Sequence, residues 1–343
     1  MNFLRNKILF RCDAATIAEI GTGHMFRCLT IAEYLKKKYK LKNKDIAFLI
    51  RSTGKYKIGL KILQKHKYKI IQIKDRNFKL NSERENYYIN KHTSNLLIID
   101  RLGKISKNFV KKIKSKILKI IIDDSSNNRK LFDLSLNPLT PRVKKQKNNS
   151  YVGFKYLILP VFFYKFKEKV KLQKNIFISF GGYDHKNLTF IILEILNKLN
   201  LKFNIYISKF FEKSYDYSKF KSKIYFFDQN QYFDALKKSK ISITAGGLSL
   251  FDNIFLKKKI ICIPQYEHQY KNAKIIARKK AINLLSSNSK NFDVKFKKIF
   301  LNLYNEKLSE DKKLNKIHDR IINMKKIKHT LLLIGKTYER SIN

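Results

Sequence analysis

The chain has no tryptophan and only three cysteines, Cys12, Cys28 and Cys262, among its 343 residues. The cysteines are scattered and form no CxxC spacing, so the sequence predicts neither a disulfide framework nor a zinc site. The seven histidines are dispersed and form no HExxH-like pair. We therefore expect no metal and no cofactor. The cysteines are interpreted as small core or turn residues, with a nucleophilic cysteine as the alternative.

Long apolar runs are also missing. None approaches the roughly 18–20 residues that span a bilayer. The first residues, "MNFLRNKILFRCD", have too short an apolar stretch for a signal peptide. We expect a cytoplasmic protein without stable membrane insertion. Hydrophobic residues make up 44% of the chain, enough to build the cores of about two domains.

Acidic residues are scarce, with 26 against 75 basic residues and a net charge of +49. Such an excess is typical of nucleic-acid binding. However, 63 of the basic residues are lysines spread along the chain, and no DNA- or RNA-binding motif is present. The common residues Lys, Asn, Ile, Phe and Tyr have A/T-rich codons, so genome composition explains the charge. We expect no nucleic-acid partner, although a positive field would favour capture of an anionic nucleotide.

Short apolar runs alternate with helical stretches in two series. The first series contains the runs "KILFRCD", "DIAFLIR", "YKIIQI", "NLLIID" and "ILKIIIDD", and the second contains "NIFISFGG", "KFNIYIS", "KIYFF", "KISITAGG" and "KIICIP". This alternation predicts βαβ units and parallel sheets covered on both faces. The segment Asn137–Pro160 holds three of the four prolines and is predicted to link domains at residues 1–150 and 151–343. A final helical stretch, from about Ser309, could pack on either half.

The first motif that suggests chemistry is "IGTGHMFRC", Ile20–Cys28. Phe26 stands where a dinucleotide fingerprint needs glycine, and no GK[ST] follows for a Walker loop. Gly21 and Gly23 are left to shape a turn, with His24 at a helix start. Histidine suits proton transfer near neutral pH, and the positive end of a helix favours its neutral form. Spacing alone leaves a capping or packing histidine as an equal alternative.

Two charged residues flank this motif. Asp13 ends the first strand region and is expected near His24, where it would orient the imidazole or contact a sugar; the alternative is a turn or cap aspartate. Arg27 lies one helical turn beyond His24. We expect it to bind a phosphate or to form a surface ion pair.

A second glycine motif, "SFGGYDHKNLT", follows the first strand of the second half. Gly181 and Gly182 would bring backbone N–H groups close to a diphosphate. Asp184 and Asn187 are expected to cap the helix that starts at about Asn187.

A third glycine motif, "TAGGLSLFDNIF", has the same strand-to-helix setting. Gly246, Gly247 and Ser249 resemble a second phosphate turn. Asp252 lies one turn into the helix, where a carboxylate could accept both hydroxyls of a ribose.

A last motif, "PQYEHQYKNA", places Gln269 and Asn272 at a helix start, where amides are good partners for sugar hydroxyls. Ligands of open α/β sheets bind at the carboxyl ends of strands, where all these motifs fall. Two such domains facing each other would enclose a central cleft, with a sugar nucleotide as a plausible occupant.

Taken together, the motifs resemble a known family. The start "ILFRCDAATIAEIGTGHMFRCLTIAEYL" is similar to the R-x-D…G-x-G-H-x-x-R pattern of the UDP-sugar hydrolases of pseudaminic acid biosynthesis and their spore-coat polysaccharide relatives. "GGYDHKNLT" and "AGGLSLFDNIFLKKKIICIPQYEHQYKNA" resemble the family's later motifs, so the resemblance covers nearly the whole chain. It implies two Rossmann-like domains in a GT-B arrangement around a central cleft.

The resemblance also implies an activity. His24 matches the family's catalytic histidine, which would activate water to release UDP from a UDP-linked diacetamido-trideoxy amino sugar without a metal. The chain departs from the pattern at Asp252, where GT-B enzymes have glutamate, and at Pro160, where the family tends to have arginine. The alternative function is a GT-B glycosyltransferase that uses a UDP-amino sugar in cell-surface polysaccharide synthesis. A third class is a nucleic-acid-binding module, in which the glycine turns would have no purpose.

Overall fold

The chain folds into two compact α/β units. The computed structural model describes residues 6–17, 20–139, 149–165, 173–199, 201, 203–208, 216–228, 231–306 and 312–342. Unit 1 contains residues 1–166 and 323–343, and unit 2 contains residues 167–322. The boundary between the two units therefore lies between residues 166 and 167, whereas the sequence predicted it between residues 150 and 151. The last helix belongs to unit 1.

Unit 1 is built on a parallel sheet of seven strands in the order β3-β2-β1-β4-β5-β6-β7. The strands are β1 (Asn6–Cys12), β2 (Ile46–Arg51), β3 (Lys69–Ile73), β4 (Thr93–Asp100), β5 (Leu118–Ile122), β6 (Leu134–Asn137) and β7 (Ser150–Val152). Its helices are α1 (Gly23–Lys38), α2 (Lys57–Gln64), α3 (Glu83–His92), α4 (Lys107–Lys111), α5 (Val161–Lys165) and α12 (Met324–Ile342). The predicted linker thus contributes the edge strand β7, while its residues 140–148 lie outside the described residues.

Unit 2 repeats the design with a parallel sheet of six strands in the order β10-β9-β8-β11-β12-β13. The strands are β8 (Gln173–Ser179), β9 (Asn204–Ser208), β10 (Lys223–Phe227), β11 (Ser239–Thr244), β12 (Lys259–Cys262) and β13 (Asn283–Leu284). Its helices are α6 (Leu188–Asn197), α7 (Tyr232–Lys237), α8 (Leu248–Phe255), α9 (Glu267–Ala277), α10 (Phe292–Asn305) and α11 (Lys312–Ile321). None of the helices in the described ranges is both long and apolar enough to cross a membrane.

The strands of unit 1 are apolar on both faces because helices cover both. Phe10 and Cys12 pack with Met25 and Cys28 of α1 on one face. Leu9 packs on the other face, in a separate cluster that includes α3. Fully burying one such aliphatic side chain stabilises the fold by about 1.5–3 kcal/mol. The alternation of side chains between the two faces along β1 therefore decides which residues at its end face α1 and which face α3.

The C-terminal helix α12 packs on the same face of the first sheet as α1. Its side chains Leu331, Ile334 and Tyr338 are buried in the same cluster as Phe10. The ring of Tyr338 lies 4.9 Å from that of Tyr39, at the end of α1.

In both sheets the order in which successive strands are added reverses at one point, between β1 and β4 in unit 1 and between β8 and β11 in unit 2. In open parallel sheets, ligands bind beyond the carboxyl ends of the strands at such a switch point. Three motif residues come after three of these four strands. His24 follows β1, Gly181 follows β8 and Gly246 follows β11.

Candidate functional site

His24 lies on the first turn of α1, after the loop that leaves β1. Gly21 in that loop has φ +53°, a left-handed conformation that glycine adopts without strain. Nδ1 of His24 lies 2.6 Å from Oδ1 of Asp100, the last residue of β4. A carboxylate oxygen only accepts, so in the neutral imidazole Nδ1 carries the proton and Nε2 has the lone pair. His24 is 18% exposed, whereas the Asp100 side chain is fully buried.

Arg27 holds the carboxylate that contacts His24. Its Nε donates to Asp100 Oδ2 at 2.6 Å and its Nη2 to Asp100 Oδ1 at 2.7 Å. Its Nη1 donates to Asp123, which follows β5. Arg27 is buried, so it forms neither the phosphate contact nor the surface ion pair that the sequence suggested.

Burial and ion pairing together set the ionisation of Asp100 and Asp123. Burial opposes ionisation of Asp100, but Arg27 and His24 outweigh it and lower the pKa of Asp100. At Asp123 burial is the larger effect and raises the pKa of that carboxyl. Asp100 is therefore the ionised partner that both orients the imidazole and stabilises an imidazolium.

Cys28, beside Asp100, and Cys262, in β12 of unit 2, are not poised for attack. Cys28 Sγ lies 3.9 Å from Asp100 Oδ2, and burial raises the pKa of its thiol well above the ordinary value. Burial likewise raises the pKa of Cys262. The nucleophile is the thiolate, so both cysteines act as small core residues.

Asp13, expected beside the imidazole, points to the other face of the sheet. Its Oδ1 lies 2.9 Å from Arg11 Nη1, and its Oδ2 accepts from Arg51 Nε at 2.9 Å. Burial opposes ionisation of Asp13, but the two arginines outweigh it and hold its pKa at about 2. Asp100 takes the orienting position that the sequence had suggested for Asp13.

The second glycine motif lies between β8 and α6. Gly181 has φ +83°, so this turn requires a residue that tolerates the left-handed region. Asp184 caps α6, as predicted, because its carboxylate accepts from Leu188 N at 3.0 Å and from Thr189 N at 2.7 Å. Asn187 precedes the helix in a left-handed conformation, and its side chain makes no capping bond.

The third glycine motif is packed against the start of α9. A Cβ on Gly246 would lie 2.7 Å from the backbone oxygen of Gln269, so only glycine fits there. Gln269 Oε1 accepts from Gln265 N at 3.0 Å. Gln265 Nε2 in turn donates to Phe180 O at 2.9 Å, at the end of β8. These amides bring the turns after β8, β11 and β12 together at one edge of the second sheet.

Two of the predicted polar residues of α8 and α9, Asp252 and Asn272, are buried. Ser249 Oγ lies 3.0 Å from Thr244 Oγ1, so the hydroxyl is tied to the end of β11. Asn272 is also buried, within α9. Asp252 Oδ2 accepts from Tyr232 Oη at 3.0 Å, and burial raises the pKa of Asp252 to about 8. Asp252 is therefore mostly protonated at neutral pH, unlike the ribose-binding carboxylate that the sequence suggested.

Two features of the site were not identified from the sequence. One is Asp100 with its neighbour Asp123, which could have been found from their positions at the ends of adjacent parallel strands. The other is an aromatic stack beside the glycine turns of unit 2. The ring of Tyr266 lies 4.8 Å from that of His185 and 5.6 Å from that of His268.

Within the described ranges, no group of three or more His, Cys, Asp or Glu side chains is arranged to hold a metal ion. The chemistry that these residues themselves support is proton transfer at His24 and anion binding at the glycine turns of unit 2.

No protein-family model matches the chain. In sequence it is similar to the uncharacterized protein MJ1062 of Methanocaldococcus jannaschii, with 30% identity over 277 residues that cover 73% of this chain. The match covers 54% of MJ1062, so the chain spans about half the length of that relative. It is also similar to the spore coat polysaccharide biosynthesis protein SpsG of Bacillus subtilis, with 26% identity over 76% of this chain and 78% of SpsG.

The structure matches solved glycosyltransferases along its whole length. MurG of Acinetobacter baumannii has 14% identity and a TM-score of 0.60, over 96% of this chain and 99% of MurG. UGT89C1 of Arabidopsis thaliana, solved with UDP, has 12% identity and a TM-score of 0.60, over 97% of this chain and 100% of its own. The chain therefore has the fold of the GT-B glycosyltransferases, as predicted, and is similar in sequence to a protein of spore coat polysaccharide biosynthesis.

Proposed function

We propose that the chain is a hydrolase that releases UDP from a UDP-linked diacetamido-trideoxy amino sugar, in the biosynthesis of a nonulosonic acid such as pseudaminic acid. The observation that carries this proposal is the contact of His24 Nδ1 with the buried, ionised Asp100. It leaves Nε2 as a base on the more exposed side of the pair. The similarity to SpsG supports a role in polysaccharide biosynthesis.

In the proposed reaction, His24 Nε2 takes a proton from a water molecule. The water oxygen forms a bond to the anomeric carbon as the bond from that carbon to the diphosphate oxygen breaks. Asp100 stabilises the positive imidazolium that results, and Arg27 keeps Asp100 in place. The products are the free sugar and UDP.

The diphosphate is proposed to bind at the start of α8 in unit 2. Asp184 already accepts from the N–H groups of Leu188 and Thr189 at the start of α6. The start of α8 has no side-chain cap, and it follows Gly246 and Gly247. Uncapped N–H groups and the positive end of the helix dipole stabilise an anionic leaving group.

The sugar and the nucleoside would contact residues next to this turn. Gln269 and Asn272 of α9 remain the proposed partners of the sugar hydroxyls. Asp252, when protonated, would donate one hydrogen bond to a ribose hydroxyl and accept another, a weaker arrangement than the carboxylate that we expected from the sequence.

Substitution of His24 tests the mechanism. With a UDP-linked diacetamido-trideoxy sugar and no acceptor, the wild-type protein should release UDP and free sugar in equal amounts. We expect His24→Asn and His24→Ala to lower kcat by about 100-fold or more, which is the usual contribution of a general base. His329→Asn, at an exposed position of α12, is the matched control. Wild-type turnover in both His24 variants would rule out the mechanism.

The second candidate is a glycosyltransferase that transfers the same amino sugar to a hydroxyl acceptor. The fold likeness to MurG and to UGT89C1 with bound UDP favours it. His24 would then deprotonate the acceptor hydroxyl in place of water. Under this proposal no UDP appears until an acceptor, such as a lipid extract of a polysaccharide-producing cell, is added. UDP release without acceptor at the same rate as with acceptor would support the hydrolase.

A further inference from the structure

Five charged residues form a second cluster at the carboxyl edge of the first sheet, on the α3 face. We call this set, Arg11, Arg51, Arg101, Asp13 and Glu85, the arginine cluster. Arg11 belongs to β1, Arg51 ends β2 and Arg101 follows β4. The cluster therefore lies at the edge where ligands of parallel sheets bind, on the face opposite to His24.

Both carboxylates of the cluster pair with the arginines, and each also accepts from a backbone N–H, that of Asn81 at Glu85 and that of Arg51 at Asp13. Glu85 Oε1 accepts from Arg11 Nε at 2.6 Å, and Glu85 Oε2 accepts from Arg101 Nη2 at 3.2 Å. Asp13 lies 2.9 Å from Arg11 Nη1 and accepts from Arg51 Nε at 2.9 Å. Arg51 Nη2 also lies 2.9 Å from Asp13 Oδ2.

The cluster carries one more positive charge than negative charge, because three guanidinium groups face two carboxylates. The remaining neighbours of the arginines do not neutralise the excess. Arg11 lies over the ring of Phe78 and Arg101 over the ring of Phe109. Burial, together with repulsion from Arg11 and Arg51, lowers the pKa of Arg101. A buried uncompensated charge is costly unless an anion pairs with it.

Hydrogen-bond donors in the cluster are also unused. Arg11 Nη2 and Arg101 Nε are buried and have no hydrogen-bond partner. Most buried donors in folded proteins have an acceptor, so an anion or a water molecule could still bond to these two donors. Within the described part of the chain, two donors of the cluster are therefore without an acceptor, in addition to its surplus of positive charge.

Arg51 is the member of the cluster that a ligand can reach. Its side chain is 14% exposed, whereas those of Arg11 and Arg101 are almost completely buried. One edge of its guanidinium pairs with Asp13, and one face lies 3.8 Å from the ring centre of Tyr56. Among the described residues, no acceptor bonds to its Nη1. Such a fixed guanidinium with an open edge is suited to an oxyanion.

We propose that the arginine cluster binds an oxyanion group, a phosphate or a carboxylate of a small-molecule ligand, at the open edge of Arg51. The bound anion would neutralise the surplus charge of the cluster. All residues of this site belong to unit 1, and the proposal does not depend on the proposed hydrolysis.

The test measures the thermal unfolding midpoint in a series of inorganic phosphate concentrations, against sodium chloride of equal ionic strength. A ligand that binds only the folded state raises the free energy of unfolding by RT ln(1 + [L]/Kd), so a fit of the midpoint against the phosphate concentration gives the half-saturating concentration. We expect the half-saturating phosphate concentration to rise at least about ten-fold in Arg51→Gln, because one charge-assisted contact is lost. Arg84→Gln, in an exposed ion pair with Asp75, is the matched control and should behave as wild type.

Phosphate bound elsewhere, including at unit 2, shifts all variants alike and cancels in this comparison. A parallel series with acetate separates the two sources, since a larger effect of acetate indicates a carboxylate ligand. Equal responses of wild type and Arg51→Gln to both anions would overturn the proposal. If Arg51→Gln does not fold, Arg51→Lys is measured in its place. Lysine keeps the positive charge but lacks the planar guanidinium that can donate two parallel hydrogen bonds. An unchanged half-saturating concentration in Arg51→Lys would therefore also overturn the proposal.

Discussion

His24 and Asp100 are joined by a 2.6 Å contact between Nδ1 and Oδ1, although 76 residues separate them in the chain. Both carboxylate oxygens of Asp100 also accept hydrogen bonds from Arg27. The carboxylate that holds the imidazole can therefore rotate only if its two hydrogen bonds with Arg27 break. This arrangement makes the orientation of His24 a property of the folded sheet rather than of its own loop.

Replacing Asp100 with asparagine should impair catalysis more than binding. An amide that donates its N–H to Nδ1 would move the imidazole proton to Nε2, and the histidine could then no longer accept a proton from water. We expect Asp100→Asn to lower kcat for UDP release by about 100-fold or more, with little change in KM.

The control for this variant is Asp75→Asn, which removes a carboxylate from a partly exposed pair with Arg84. Both proteins should be compared by circular dichroism to verify folding. A folded Asp100→Asn protein with wild-type kcat would contradict the role assigned to Asp100.

The pH dependence of stability should change when Asp252 is replaced. Burial raises the pKa of Asp252 from 3.8 to about 8. The folded state therefore holds this proton more tightly than the unfolded state does. The stability that protonation provides is full below about pH 4, and it is lost as the pH rises through 8. Asp252→Asn removes this titration, so the free energy of unfolding of the variant relative to wild type should increase from pH 6 to pH 9.

Urea unfolding at the two pH values measures this difference. Lys258 has a pKa lowered by burial to about 7, which changes stability with pH in the opposite direction, but it does so equally in both proteins. Asp234→Asn, at an exposed position of α7, is the control. An identical pH dependence in wild type and Asp252→Asn would show that Asp252 is ionised in the folded protein.

Two adjacent glycines should respond differently to alanine. A Cβ on Gly246 would lie 2.7 Å from the backbone oxygen of Gln269, and α9 would have to shift. A Cβ on Gly247 would meet only Gln269 Nε2, at an ordinary 3.6 Å. We expect Gly246→Ala to cost about 1–3 kcal/mol of stability, as overpacking does, and to weaken UDP binding.

Gly247→Ala serves as the matched control and should unfold within about 1 kcal/mol of wild type. Differential scanning calorimetry gives the stabilities, and titration with UDP gives the affinities. Equal unfolding temperatures for the two variants would mean that the turn after β11 adapts to a side chain.

The alternation of strands and helices could be predicted because parallel strands covered on both faces are continuously apolar, as "NLLIID" and "KISITA" are. Helix α3 was not predicted, since its sequence "ERENYYINKH" is polar and lacks a clear apolar stripe. Its start carries a local signal, because Ser82 Oγ accepts from Glu85 N at 3.2 Å and serines at such positions favour helix starts.

The partner of His24 could not be chosen from spacing, and the reason is the alternation of side chains along a strand. Asp13 follows Arg11 by two residues and so lies on its face, away from α1. Asp100 is paired in register with Cys12, whose side chain packs against α1. Locating Asp100 therefore requires the pairing of β1 with β4, which depends on the whole sheet and not on the motif.

The position of α12 has a consequence for the order in which the protein folds during synthesis. Unit 2 is complete once residue 322 has left the ribosome, whereas unit 1 still lacks the helix that carries Ile334 and Tyr338. The α1 face of the first sheet, beside which His24 and Arg27 lie, stays open until that helix docks. Unit 1, whose first strands are made before unit 2, thus receives the helix that covers the core beside His24 only after unit 2 has been made.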